Sequence, residues 1–115
     1  MSIFRIYANE HHAINSTYIQ SIDLTIQNLG AEEFDILIEG NNPHGNTFLY
    51  LYHLDSVSHP NSMRTIPDMF TNYAPFSLQL VTNINHSSTT ALTLLAKNNG
   101  HVIARFTQYD FETIE

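Results

Sequence analysis

Hydrophobic and polar residues alternate with a period of two along most of this chain, which is the pattern of β-strands that bury one face. In SIDLTIQNL, for example, Ile22, Leu24 and Ile26 lie on one side and polar residues lie on the other. The segments that share this strand-like pattern are residues 2–8, 21–29, 34–40, 76–84, 90–97 and 101–114. Each is predicted to be a strand with one face in a core.

The breaks between these segments carry turn residues. Asn99-Gly100 separates two alternating runs and predicts a hairpin, because a type I′ turn needs positive φ at both central residues. The run NNPHGN, residues 41–46, predicts a loop. Pro67 is expected to end a short strand at residues 63–66.

Residues 47–55, TFLYLYHLD, are apolar on both sides of the predicted strand. A strand that is covered on both faces has this composition. We therefore expect this strand in the middle of a sheet, with one face in the core and the other against a neighbouring molecule.

No segment of ten or more residues keeps a helical period. The pattern predicts an all-β fold, a single β-sandwich of about seven or eight antiparallel strands joined by short turns. Jelly-roll and immunoglobulin-like topologies both fit, and the sequence does not choose between them.

Charged residues are scarce, at 13% of the chain against a usual share of about 25%. The 12 Asn, 11 Thr and 9 Ser supply the polarity instead. A surface with few charges packs readily against copies of itself, so we expect a homo-oligomer or polymer. The net charge is −7, and the basic residues are Arg5, Arg64, Lys97 and Arg105. A nucleic-acid partner is not expected, because phosphate contacts need cations.

The chain contains no cysteine, which excludes disulfides and thiolate sites. No apolar run approaches membrane-spanning length, so a membrane partner is not expected. The start MSIFRIYANE is too short and too polar for a signal peptide. An extracellular or spore-surface location would therefore require release by another route, such as cell lysis.

The polar residues give little support to a chemical site. His11 and His12 are adjacent, and neighbours on a strand point to opposite faces, so both bind one ion only if the segment bends. The other histidines lack a ligand spacing such as His-x-x-x-His. No catalytic motif is present, and the pattern brings no two carboxylates together. We expect no enzyme activity, no cofactor and no metal site.

Aromatic residues leave sugar binding open. The chain has six Tyr, seven Phe and no Trp, and Phe70, Tyr73 and Phe76 cluster around a predicted loop. Exposed rings of this kind can stack on sugars, although core packing and interface anchoring are their commoner uses.

The N-terminal segment has two interpretations. Residues 2–8 form an apolar strand, and the residues that follow them, up to residue 16, lack hydrophobic periodicity. The strand either pairs within its own sheet as an edge strand or adds to a neighbour's sheet as a connector. In the second case residues 1–16 are an arm and linker, and residues 17–115 are the sandwich domain. The contact residues would be Ile3, Phe4, Ile6 and Tyr7, and the hinge residues would be Asn9, His11, His12 and Asn15.

Three stretches have a familiar layout: TIQNLGAEEFDILI, SHPNSMRTI with FSLQLVTN, and LTLLAKNNGHVIARFTQYDFE. With the N-terminal strand, they resemble the small self-assembling subunits of endospore appendages and related spore-surface proteins of Bacillus-like bacteria. The resemblance covers most of the chain and implies a jelly-roll fibre subunit joined by N-terminal connectors. Those subunits have cysteines that staple the fibre, so a fibre of this chain would be held by non-covalent packing.

These observations predict a structural, self-assembling subunit of an extracellular or spore-surface filament, which polymerises non-covalently through its N-terminal strand. The alternative is a carbohydrate- or ligand-binding β-sandwich module.

Overall fold

The alternating segments form strands of two sheets in a computed structural model that describes residues 1–11, 13–41 and 47–115. The strands of this part of the chain are β1 (Ser2–Ala8), β2 (Ser21–Asn28), β3 (Phe34–Asn41), β4 (Thr47–Leu54), β5 (Met63–Phe70), β6 (Phe76–Thr82), β7 (Thr90–Asn98), β8 (His101–Thr107) and β9 (Glu112–Ile114). The first sheet has the order β4-β3-β6-β1-β9, and the second has the order β5-β2-β7-β8. All strand pairs are antiparallel, and the two sheets pack as the predicted sandwich.

The core lies between the sheets and is filled by the apolar face of each alternating strand. Leu24 of β2, Ile36 of β3 and Leu80 of β6 have no exposed surface. Burial of a side chain of this size stabilises the fold by about 1.5–3 kcal/mol. The inward positions predicted from the alternation are therefore confirmed for these three strands.

The Asn99-Gly100 hairpin is also confirmed. Asn99 has φ 52° and Gly100 has φ 81°, and β7 pairs with β8 on either side of them. The run predicted over residues 101–114 is divided by a 3₁₀ turn at Gln108–Asp110, which Thr107 caps with its side chain. After this turn the chain crosses to the first sheet as β9, so the described residues form one strand more than the upper prediction of eight.

Strand β5 continues through Pro67 instead of ending there. A register shift between Ile22 and Leu24 places Pro67 and Asp68 in a bulge of this edge strand, where a missing N–H breaks no ladder bond. Asp68, at φ 55°, donates its amide to the Asp23 carboxylate at 2.7 Å. The side chain of Asp23 thus replaces the lost backbone partner.

Strand β4 lies at the edge of the first sheet and not in its middle. Its inward Tyr50 and Tyr52 rings are stacked with centroids 6.0 Å apart, and Arg64 lies 5.3 Å from the centroid of Tyr52. Leu49 and Leu51 point away from the core and remain exposed. The apolar composition on both sides therefore reflects one core-facing side and one solvent-facing apolar side.

Strand β1 lies inside its own sheet, between β6 and β9. Phe4 and Ile6 are 2% and 3% exposed, and the Ser2 hydroxyl donates to the Ile84 carbonyl at 3.1 Å. This placement corrects the edge-strand interpretation, because β1 is an inner strand, and the connector arm stays a prediction. The segment stays within the domain because its inward side chains fill the core and its backbone is paired on both sides.

The expected hinge is a closed loop in the described residues. The Asn9 amide donates to the Ile14 carbonyl at 3.2 Å, and the Asn9 side chain accepts from the His11 amide at 2.8 Å. Asn15 caps a 3₁₀ turn at Ser16–Tyr18. The hinge residue His12 and the histidine His44 lie outside the described residues.

Helical segments in the described part of the chain are single 3₁₀ turns of three residues each. None of them has the length or the apolar content that a membrane-spanning helix requires.

Candidate functional site

A row of apolar side chains crosses all five strands of the first sheet on the face that points away from the core. Ile114 is paired with Ile3, and Ile3 is paired with Val81. On the other side Val81 is paired with Leu37, and Leu37 with Leu51. Side chains at paired positions on one face are neighbours, so these five residues form a continuous apolar row.

The apolar row is open to solvent, most of all at its ends. Leu51 is 71% exposed and Ile114 is 39% exposed, whereas the three residues between them are partly buried by their neighbours. The described residues form two layers, one for each sheet. Within these residues, neither a strand nor a helix packs on the outer face of the first sheet. A five-residue apolar row across a sheet without a cover differs from the isolated apolar residues of ordinary protein surfaces.

A second row runs parallel to the apolar row and carries charges. In strand order it consists of Glu112, Arg5, Gln79, Glu39 and Leu49. Arg5 donates from Nε to the Gln79 Oε1 at 2.8 Å. Arg5 and Glu39 lie on the two strands that flank β6, the central strand, so opposite charges are placed symmetrically about it.

Three carboxylates and one imidazole converge at one end of the same face. His53 is paired with Asp35, and its Nδ1 lies 2.7 Å from the Asp35 Oδ1. Its Nε2 lies 3.6 Å from the Glu33 Oε2 and 3.5 Å from the Asp55 Oδ1. We call these four residues the carboxylate–histidine cluster. Glu33 joins Asp35, and Asp55 joins His53, because residues two apart along an extended chain share a face.

Two asparagines hold the cluster in place. Asn83 accepts the Asp35 amide at 2.8 Å and donates to the Asp35 Oδ2 at 3.4 Å. The buried Asn28 donates to the main-chain oxygens of Glu32 and Asp55 at 2.7 and 3.0 Å. Both segments that carry the cluster are therefore fixed by side chains from elsewhere in the chain, Asn28 of β2 and Asn83 just after β6.

The environment favours a charged imidazole. The hydrogen bond to Asp35 raises the pKa of His53, partial desolvation opposes this effect, and Glu33 adds to it. The side chain of His53 is 51% exposed, so solvent screens these interactions. The cluster offers lone pairs on one imidazole nitrogen and on carboxylate oxygens. These lone pairs can bind a proton or a cation.

The residues predicted as inter-subunit contacts fall on both sides of β1. Ile3 lies in the apolar row, and Tyr7 is exposed on the same face. Phe4 and Ile6 lie in the core. The predicted contact set is therefore divided by the alternation of the strand itself.

The carboxylate–histidine cluster was missed by sequence reasoning. The signal in the chain was two pairs with a spacing of two, Glu33 with Asp35 and His53 with Asp55, on strands predicted to be consecutive. Their meeting depends on the register of β3 with β4, which pattern analysis does not supply.

The aromatic residues predicted to surround a sugar site do not form one platform. Phe70 is exposed, whereas Phe76 is buried in the core. Tyr73 donates its hydroxyl to the Asn98 side chain at 2.8 Å, which fastens its loop to β7. A separate cavity of about 280 Å³ lies beside Tyr7 and is lined by Ala8, Asn9, Asn41, Pro75, Phe76 and Ser77.

Comparisons with protein-family models, with characterised proteins and with solved structures found no match for this chain.

Proposed function

We propose that the protein is a structural subunit that assembles with a second copy of itself through the outer face of the five-stranded sheet. The observation that carries this proposal is the apolar row, which crosses every strand of that sheet and has no cover within the described chain. Burial of apolar surface is the main favourable term in such an association.

The size of the face fits a specific contact. Strands β1, β3, β4 and β6 have seven or eight residues and β9 has three, so with strands about 4.8 Å apart the face covers roughly 500 Å² in projection. A standard interface buries roughly 800 Å² of accessible surface on each partner. The accessible surface of a sheet face is larger than its projected area, because the side chains protrude from it. A second copy therefore covers the face without further structure.

The charges on the face favour a two-fold contact about an axis parallel to β6. Such an axis places β1 of one copy over β3 of the other. The apolar row of one copy then faces the apolar row of the other in the opposite strand order, with Val81 over Val81 at the centre. Arg5 of each copy then faces Glu39 of the other, because the two residues flank β6 at the same level. Charge complementarity across an interface selects the partner and the orientation.

A two-fold contact of this kind closes as a dimer. The dimer would be the building block, and a filament of the endospore-appendage type would need a second contact between dimers. The dimer contact does not require β1 to leave its sheet, and polymerisation through the N-terminal strand stays a prediction for the contact between dimers.

The test is sedimentation velocity of the intact chain and of Leu51→Lys over a range of concentrations. We expect dimers for the intact chain. The dimer dissociation constant of Leu51→Lys should be at least tenfold higher, because the new ammonium group faces apolar side chains. Val102→Lys is the matched control, since Val102 is 55% exposed on β8 of the other sheet. A monomeric intact chain at high concentration would overturn the proposal, as would equal effects of the two lysines.

A charge exchange tests the orientation. Arg5→Glu and Glu39→Arg should each weaken the dimer, and the double variant should restore it. If the double variant is no stronger than either single variant, the axis parallel to β6 is wrong.

Sugar binding is a second candidate, favoured by the cavity beside Tyr7. An aromatic ring next to the side chains of Asn9, Asn41 and Ser77 combines stacking with hydrogen-bonding groups. Retention on a glycan array that Tyr7→Ala abolishes and Tyr73→Ala leaves intact would support it. A blank array would exclude the glycans tested.

A further inference from the structure

We propose that the carboxylate–histidine cluster binds a divalent transition-metal ion of the zinc class. Glu33, His53 and Asp55 would be the ligands, and Asp35 would orient the imidazole. The inference does not rest on the proposed self-association, because every ligand comes from one chain.

The spacing of the donor atoms matches such an ion. Ligands at about 2.0–2.2 Å from a tetrahedral zinc ion lie about 3.3–3.6 Å from one another. The Nε2 of His53 lies 3.6 Å from the Glu33 oxygen and 3.5 Å from the Asp55 oxygen. These separations are too long for good hydrogen bonds. One ligand atom each of Glu33, His53 and Asp55 lies within 4.8 Å of the other two.

The orientation of His53 sets this group apart from a simple patch of acids. Its Nδ1 is held by Asp35 at 2.7 Å, so in the neutral imidazole the proton is favoured on Nδ1 and Nε2, which lies 3.6 and 3.5 Å from the Glu33 and Asp55 oxygens, is the free ligand atom. Metal-binding histidines characteristically donate their second nitrogen to a carboxylate in this way. Asn83 in turn hydrogen-bonds Asp35, so the orienting group is itself fixed.

The charge balance also favours a cation. The ion pairs of the described residues give Glu33, Asp35 and Asp55 no partner from Lys or Arg. Lys97 pairs with Asp23 and Asp68 on the other sheet. Three carboxylates around one imidazole therefore keep an excess of negative charge, which a divalent ion would offset.

The three ligands supply three positions of a tetrahedron. The fourth position faces solvent, because the side chains of Glu33 and His53 are 66% and 51% exposed. A water molecule or a donor from another molecule would complete it. Imidazole with carboxylate is a donor set that suits zinc better than the hard oxygen-only ions calcium and magnesium.

The experiment is calorimetric titration of the intact chain with zinc chloride in a buffer that does not chelate. We expect one zinc ion per chain, a loss of at least 100-fold in affinity for His53→Ala, and a loss of about 10–100-fold for Asp35→Asn. His101→Ala is the control, since His101 is an exposed histidine on β8 and should leave the affinity unchanged. Thermal unfolding of each variant without metal verifies the fold.

A second readout follows the ligating atom. Long-range proton–nitrogen spectra should show zinc on the Nε2 of His53 and the proton on its Nδ1. Zinc affinity that His53→Ala leaves unchanged would overturn the proposal. So would coordination through Nδ1, or the absence of zinc binding by the intact chain.

Discussion

Asn28 donates a hydrogen bond from its side-chain nitrogen to the main-chain oxygen of Asp55 at 3.0 Å. The same nitrogen donates to the Glu32 carbonyl at 2.7 Å, and Oδ1 accepts the Gly30 amide at 2.9 Å. Asn28 belongs to β2 in the second sheet and has no exposed surface. One buried side chain therefore ties together the two segments that carry the carboxylate–histidine cluster on the first sheet.

We expect Asn28→Ala to lower the free energy of unfolding by about 2–4 kcal/mol, because three backbone groups lose their partner. Urea denaturation followed by circular dichroism measures the change. Asn85→Ala, on an exposed loop, is the control and should shift the free energy by less than about 0.5 kcal/mol. Equal effects of the two substitutions would contradict the bridging role.

Phe4→Ala tests the place of β1 in its own sheet. The ring is 2% exposed in the core, so its removal should lower the free energy of unfolding by about 3–5 kcal/mol. Tyr7→Ala, on the outward side of the same strand, should lower it by less than about 1 kcal/mol. Denaturant midpoints of both variants give the comparison. A stable Phe4→Ala monomer that no longer associates would instead favour a connector arm.

The ion pair between Asp23 and Lys97 predicts a dependence of stability on pH. Burial disfavours ionised Asp23, but the Asp68 amide and Lys97, whose Nζ lies 3.0 Å away, outweigh it and lower the pKa of Asp23. A lowered pKa gives stability that is present above the ordinary aspartate value of about 3.9 and is lost as the pH falls through the folded value. Asp23→Asn should therefore destabilise by about 1 kcal/mol at pH 7 and by less at pH 3.

Lys97 sets the upper pH limit of the stability that this ion pair contributes. Hydrogen bonds to Asp68 and Asp23 raise the pKa of Lys97. Its contribution is complete below the ordinary lysine value of about 10.4 and is lost as the pH rises through the folded value. Urea denaturation at pH 3, 7 and 11 tests both limits. Glu10→Gln, an exposed carboxylate, is the control, and a pH-independent effect of Asp23→Asn would contradict the argument.

Gly100→Ala isolates backbone strain from packing. Gly100 has φ 81°, and a Cβ placed there meets no atom within 4 Å. The substitution should therefore destabilise the hairpin by about 1 kcal/mol through conformation alone. Thermal unfolding measures the loss, with Asn99→Gly as the permissive control at φ 52°. No loss for Gly100→Ala would mean that the turn adopts another type.

The strands followed from local chemistry. Alternation of apolar and polar residues predicted which side chains of β2, β3 and β6 enter the core, and Asn99-Gly100 predicted the β7–β8 hairpin. Both signals act between near neighbours in the chain. The prediction at Pro67 was wrong because a distant residue, Asp23, accepts the amide of Asp68 and stabilises a bulge.

The neighbours of each strand were decided at longer range. The chain alone did not show that β4 lies at an edge or that β1 lies between β6 and β9. Strand order depends on which pairings bury the most apolar surface together, and this is a property of the whole sandwich.

The candidate sites show the same division. The sequence by itself determined that Val81 alternates with the core residues of β6 and therefore points outward, whereas the outward direction of Ile3 and Leu51 came from the structure. Only the tertiary structure placed them in one row, because the register of four strand pairs must combine to do so. Likewise the register of β3 with β4 decided that Asp35 meets His53. Side-chain direction is a local property of the strand, whereas proximity across a sheet is set by the fold.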